Sequence, residues 1–136
     1  MSATPVVVDT HAIVWYFAQA QKISLAAFRA IDDALLAGEP VYISAISLIE
    51  LRYLAEHGRV PQQAISDLID ASEDEDGTLI IVPVDTKVAQ SLAAIPRQEI
   101  PDMPDRIIAA TAAMLGLPLV TADEKIRKSR SLRTIW

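Results

Sequence analysis

Near the start of the chain three valines, Val6, Val7 and Val8, run directly into an acid, Asp9. A β-branched run with no polar alternation suits a strand buried on both faces, as in a parallel sheet. Parallel strands need long crossover connections, so such a strand demands strand–helix alternation in the rest of the chain. Ligands of open α/β sheets sit at the carboxyl ends of the strands, which is where Asp9 falls. Asp9 equally suits the N-cap of the segment that follows.

The alternation is there. Residues 11–17 read as a short apolar helix, and Ser24 suits the N-cap of a helix over 25–37 that Gly38 and Pro40 close. Residues 41–43 form a second strand. A helix over 47–57 stops at Gly58, and Pro61 opens another over 62–71. Leu79–Val82 is a third strand, Asp85 starts a helix through Ile95, and 96–104 is a proline-rich loop. An alanine-rich helix over 105–115 ends at Gly116. A strand over 118–121, a helix over 123–130 and an edge strand over 132–136 complete the chain. Repeated βα order predicts an α/β fold with a mostly parallel sheet covered on both faces. With 136 residues and no internal repeat or linker, a single domain spanning 1–136 is expected.

Composition narrows the chemistry. The chain is 51% hydrophobic but only 5% aromatic, an aliphatic balance that favours α/β or all-α packing over a β-sandwich. It has no cysteine, which excludes disulfides, thiolate metal sites and cysteine nucleophiles. No apolar run approaches a membrane span and no signal-like stretch opens the chain, so a soluble cytoplasmic protein is expected.

A net charge of −6 argues at first against a nucleic-acid partner. The charge is uneven, however. Glu73, Asp74, Glu75 and Asp76 form an acidic turn, whereas Lys125, Arg127, Lys128, Arg130 and Arg133 crowd the other end. That basic stretch suits either phosphates or the exposed face of a terminal helix. An acidic protein can still bind a polyanion when divalent cations occupy some of its carboxylates.

Four acids fall at element junctions. Asp9 and Asp123 each follow a buried strand. Asp105 opens a helix whose Ala109 and Ala112 allow close approach to the sheet, and Glu50 falls on the same helical arc as Ile46, Ile49, Tyr53 and Leu54. Each has a structural alternative. Ser47 and Glu50 have the spacing of a capping box, and Asp105 suits the positive end of a helix dipole. A carboxylate in an apolar arc is nevertheless expensive unless something polar or positive faces it.

Asp9-Thr10-His11-Ala12 with Trp15, Ser47-x-x-Glu50, the segment 105–112 (Asp-Arg-Ile-Ile-Ala-Ala-Thr-Ala) and Leu119-Val120-Thr121-Ala122-Asp123 together resemble PIN-domain nucleases. Within these the chain is most similar to VapC-type toxins of bacterial toxin–antitoxin pairs, and Thr134-Ile135-Trp136 resembles the ending of one VapC subgroup. The resemblance covers essentially the whole chain, with the four motifs in order. It implies a three-layer α/β/α fold with a mostly parallel central sheet, divalent-metal-dependent endoribonuclease activity, a homodimer and a VapB-type antitoxin as partner.

Hard oxygen ligands without thiolates suit Mg²⁺ or Mn²⁺ rather than zinc. Asp9, Asp105 and Asp123 are the expected metal ligands, directly or through water. Glu50 is the expected outer carboxylate that positions an attacking water, so these four form the catalytic set. Thr10 and Thr121 offer supporting hydroxyls. Arg106 either touches phosphate or covers the helix surface. His11 is set aside as a ligand or base, His57 as a helix-end partner, Asp85 as a helix start and Asp102 as a solvated loop residue.

Two other readings stay open. A phosphoryl-accepting α/β domain would use Asp9 or Asp85, yet Asp9 lacks the paired acid of a receiver and has His11 where a dehalogenase-type phosphatase has a second Asp. A nonenzymatic binding module on the same fold is the other. Finally, Trp15, Tyr16 and Phe17 are consecutive, and successive helical side chains point about 100° apart. At least one should be exposed or lie in an interface. The helix carrying them is expected to contribute to the antitoxin groove that the resemblance implies, with the 25–37 helix beside it.

Overall fold

The computed structural model describes residues 3–136. Its strands are β1 (Val6–Val8), β2 (Val41–Ser44), β3 (Leu79–Val82), β4 (Leu119–Val120) and β5 (Thr134–Ile135). They form a five-stranded sheet in the order β3-β2-β1-β4-β5, each neighbour pairing parallel. The helices are α1 (Thr10–Ala18), α2 (Leu25–Leu36), α3 (Ala45–Glu56), α4 (Gln62–Glu73), α5 (Thr86–Ser91), α6 (Met103–Leu115) and α7 (Glu124–Lys128). No helix among the described residues is long and apolar enough to cross a membrane.

The pleat of β1 explains why it is apolar throughout. Successive side chains of a strand point to opposite faces. Val6 and Val8 join a core with Ile13, Ile31, Leu51, Ile65 and Leu68 from α1–α4. Val7 faces a second core with Ile108, Ala109, Ala112, Leu119 and Ile126. Both faces of the sheet are therefore covered, which makes the three layers. The small side chains of α6 do what their spacing suggested: Ala109 and Ala112 are fully buried against the sheet.

Two helices, α3 and α6, start two residues earlier than the sequence reading. α3 begins at Ala45, and Ser44 caps it by accepting from the Ile46 N–H at 3.2 Å. Ser47 thus lies inside the first turn, and Ser47–Glu50 is not a capping box. α6 begins at Met103, capped by Asp102. Proline lacks a backbone N–H, but the first turn of a helix leaves its N–H groups unpaired anyway, so Pro104 fits there instead of breaking the helix. Asp9 caps α1, one of the two roles its position allowed, accepting from the Ala12 N–H at 2.9 Å. α6 ends on Gly116, whose φ of 68° lies in the left-handed region that terminates helices.

Candidate active site

The strand order places β1 between β2 and β4, so the chain leaves β1 in one direction and returns on its other side. This is the switch point where open α/β sheets form a crevice at their carboxyl ends. A cleft of about 420 Å³ opens there, lined by Asp9, Thr10, His11, Trp15, Glu50, Asp102, Asp105, Ile108, Ala122 and Asp123. The four acids singled out from the sequence converge on it from four separate segments. Asp9 follows β1, Glu50 lies on α3, Asp105 on the first turn of α6, and Asp123 follows β4. No lysine or arginine is among the lining residues.

Asp9 shows that capping and site roles coexist. One carboxylate oxygen, Oδ1, takes the Ala12 N–H, and the Thr121 hydroxyl donates to the other, Oδ2. Thr121 Oγ1 in turn accepts the Asp123 N–H at 3.1 Å, which ties the two strand-end acids together. Asp123 caps α7 through Oδ1, accepting from the Ile126 N–H at 3.0 Å. Burial raises the Asp9 carboxyl above its ordinary value; the bonds from Thr121 and Ala12 oppose this, and burial prevails.

Glu50 is held by a different chain. Thr10 Oγ1 lies 2.7 Å from Glu50 Oε1 and 2.8 Å from Ser47 Oγ. A threonine hydroxyl has one proton, and a carboxylate can only accept, so Thr10 donates to Glu50 and accepts from Ser47. Thr10 and Ser47 are buried, and every buried side-chain N or O atom among the described residues has a partner. This relay is what faces Glu50. Its apolar arc, by contrast, does not bury it: Ile49 is 63% and Tyr53 58% exposed.

Asp105 carries the strain of the cluster. Its carboxyl is pushed up to about 7, first by burial and then by the charges of Asp102, Asp123, Glu50 and Asp9. Folded protein thus holds this proton more tightly than unfolded chain, whose value is near 3.8. The resulting stability is present at low pH and is lost as pH rises through about 7. Metal-free protein should therefore melt at progressively lower temperature between about pH 5 and pH 8, and added Mg²⁺ should reverse the loss. Thermal melts in chelator across that range test this; a melting temperature that climbs toward pH 8 would contradict it.

The donor set fits a hard divalent cation. It is all oxygen, it is rich in uncompensated charge, and Asp105 releases its proton near neutrality. Among the described residues no three acids or histidines already stand as close as the ligands of one ion. An ion held among them would keep waters of its own in its coordination shell.

Other residues resolve plainly. Arg106 does not line the cleft. Its guanidinium reaches back to donate to the carbonyls of Ile95 at 2.8 Å and Leu92 at 2.9 Å, the end of the 3₁₀ turn that extends α5. It staples that turn to α6, so the phosphate contact is discarded. Asp102, read as a solvated loop residue, lines the cleft and donates nothing: its Oδ2 accepts the Asp105 N–H at 3.1 Å. The Asp-Met-Pro-Asp spacing was the available signal. Asp85 caps α5 beyond β3, at the sheet edge and away from the switch point, which removes it as a phosphoryl acceptor. His57 is exposed at the end of α3, its ring against the Tyr53 carbonyl. His11 is exposed on the cleft rim.

A PIN domain family profile matches residues 6–131. The chain belongs to the PIN-domain family. Ribonuclease VapC22 of Mycobacterium tuberculosis is 36% identical over 137 aligned positions, covering 98% of this chain and 99% of that one. Among solved structures, VapBC2 from Rickettsia felis, bound to a DNA fragment from its promoter, superposes with a TM-score of 0.70 at 20% identity over 96% of each chain. A toxin–antitoxin complex from Klebsiella pneumoniae superposes with a TM-score of 0.61 at 25% identity, over 93% of this chain and 94% of that one.

A second, apolar groove of about 300 Å³ lies on this PIN domain between α1, α3 and α4, lined by Ile13, Val14, Phe17, Leu51, Ala64 and Leu68 among others. The helix α1 forms one wall of it. The expected neighbour α2 does lie beside α1, where Tyr16 meets Asp32 and Phe28, but this groove is walled by α3 and α4. The three consecutive aromatics part company around α1: Phe17 is 55% exposed in this groove, Tyr16 donates to Asp32 at 2.8 Å, and Trp15 lines the cleft. Burial and Asp32 hold the Tyr16 hydroxyl up at about 12.

Proposed function

We propose that this protein is a divalent-metal-dependent endoribonuclease, acting as the toxin of a toxin–antitoxin pair and hydrolysing RNA phosphodiester bonds in the cytoplasm. The observation that carries the reading is the convergence of Asp9, Glu50, Asp105 and Asp123 in one cleft, where burial first and then the charges of the neighbouring acids push Asp105 up to about 7. Full-length kinship to a protein named a ribonuclease supports it.

Asp9, Asp105 and Asp123 would hold Mg²⁺ or Mn²⁺, directly or through water. Such an ion supplies Lewis acidity toward a water and toward the oxygens of a phosphodiester. The remaining work belongs to the chain. Thr121 fixes the second oxygen of Asp9, so that carboxylate cannot rotate away. Thr10 fixes Oε1 of Glu50, leaving Oε2 to orient the attacking water and take its proton. Purified protein should cut RNA in Mg²⁺ or Mn²⁺, stop on addition of a chelator and resume when metal is restored. Cleavage that persists in chelator, or folded metal-loaded protein without cleavage, would reject the reading.

A VapB-type antitoxin is the partner this reading requires, and a homodimer is its expected assembly. The exposed side chains of Ile49, Tyr53 and Met103 offer apolar surface for a second copy. The α1–α3–α4 groove offers an apolar seat for an antitoxin segment. Because α1 also borders the acidic cleft, one segment can occupy the groove and reach the acids. An arginine there would pair with the carboxylates in place of metal. Alanine in place of that antitoxin residue should lower the Mg²⁺ concentration needed to release cleavage. Unchanged inhibition at every Mg²⁺ concentration would make blocking purely steric.

A further inference from the structure

The cleft poses a physical problem for a polyanion. Among its lining residues five are acids and none is lysine or arginine, so apart from a bound cation no positive charge there would hold the rest of the strand. One rim is of a different character. His11 and Trp15 are four residues apart on α1, which puts them on one face of the helix, with ring centroids 5.7 Å apart. The chain's other tryptophan, Trp136, follows β5 and meets Trp15 edge-on, centroids again 5.7 Å apart at 60°. Both tryptophans are half-buried against the core, and His11 is exposed. Trp15 is thus braced by Trp136, bordered by His11, and lines the cleft that holds the acids.

A nucleotide offers a phosphate, a sugar and a flat base. The metal and acids account for the phosphate. A braced indole beside them, bordered by the His11 imidazole, presents a flat surface in the cleft suited to a base, since every base has a π-face and stacking needs no particular sequence. Bracing matters because a ring already held in place loses little freedom on binding.

We propose that Trp15, backed by Trp136 and flanked by His11, is a stacking subsite for an unpaired nucleobase next to the scissile phosphate. It rests on the ribonuclease reading above, and sets how RNA is gripped rather than how it is cut. A paired base has its faces covered by its neighbours and cannot use the subsite without leaving the stack.

Trp136→Phe keeps a ring at position 136 and leaves Trp15 as the sole tryptophan, so its fluorescence reports on this position alone. The probe is a short single-stranded oligoribonucleotide, titrated in Ca²⁺ to keep the acids neutralised while cleavage is slowed, with the same sequence as a duplex for comparison. Single strand should quench Trp15 saturably; duplex should not at equal concentration. In Mg²⁺, Trp15→Ala should raise KM on the order of ten- to a hundredfold with kcat changed far less, and Trp15→Phe should recover most of the loss. A merely structural Trp15 predicts a lower melting temperature with unchanged KM per folded molecule and no quenching. Absent quenching, equal quenching by duplex, a folded Trp15→Ala with unaltered KM, or a Trp15→Ala that changes only the oligomeric state each overturns the proposal. If Trp15→Ala does not fold, the titration and Trp15→Phe decide. Should wild-type protein cut no RNA at all, the ribonuclease reading fails, while the titration still judges the subsite.

Discussion

Asp9→Asn is expected to cut RNA roughly a thousandfold more slowly than the parent, or slower still, while its metal-free form melts at a higher temperature near neutral pH. The two effects come from the same burial. Asp9 is only 8% exposed, and removal from water raises its carboxyl despite two hydrogen bonds. Burial thus disfavours the ionised carboxylate in the folded, metal-free protein, a cost that the neutral amide does not carry. Asparagine caps helices as well as aspartate does, so Oδ1 still takes the Ala12 N–H. Its amide can donate to Thr121 Oγ1, which has a lone pair to spare beside the bond from Asp123 N–H. The fold has every reason to survive. What disappears is the negative oxygen beside Asp123 that a cation needs. Cleavage assays and thermal melts on the same preparation check both halves. Full activity in Asp9→Asn would reduce Asp9 to a helix cap, and loss of folding would show that its charge is structural.

This arrangement explains how much of the site was legible beforehand. Val6–Val8 could be read as a strand buried on both faces because nothing polar interrupts it, and a buried parallel strand places the residue after it at the crevice. Asp9 and Asp123 were found that way. Ser47 reads as the cap of α3 because either serine can cap a helix, and only the packing of α3 against α1 puts Ser47 beneath Thr10 and leaves the cap to Ser44. The Thr10–Ser47–Glu50 relay joins residues 37 and 40 positions apart, and no local pattern reports such a distance. Arg106 is similar: its donors reach carbonyls 11 and 14 residues back, so a neighbour of Asp105 points away from it. Pro104 looked like a stop because proline usually is one, yet in the first turn it lacks nothing the helix uses. Trp136 meets Trp15 only because β5 joins the sheet beside β4, a consequence of topology that the last residues of the chain do not announce.

Glu50→Gln separates the two jobs a carboxylate can have in this cleft, and its expected effect is the second largest. General-base assistance contributes about a hundred- to ten-thousandfold. Glutamine keeps an oxygen to accept from Thr10, so the relay to Ser47 and the packing of α3 on α1 persist. It removes the charge and the basic oxygen that would take a proton from water. If Glu50 positions the water, kcat falls on the order of several hundredfold while the Mg²⁺ concentration for half-maximal rate barely moves. Thr10→Val should give a smaller loss, about tenfold, because the carboxylate stays but loses the hydrogen bond that aims it. The contrary pattern is equally clear. Were Glu50 a metal ligand, Glu50→Gln would need far more Mg²⁺ and recover its rate when metal is saturating. Measuring rate against Mg²⁺ for both variants distinguishes these, because an aimed base and a ligand respond oppositely to excess metal.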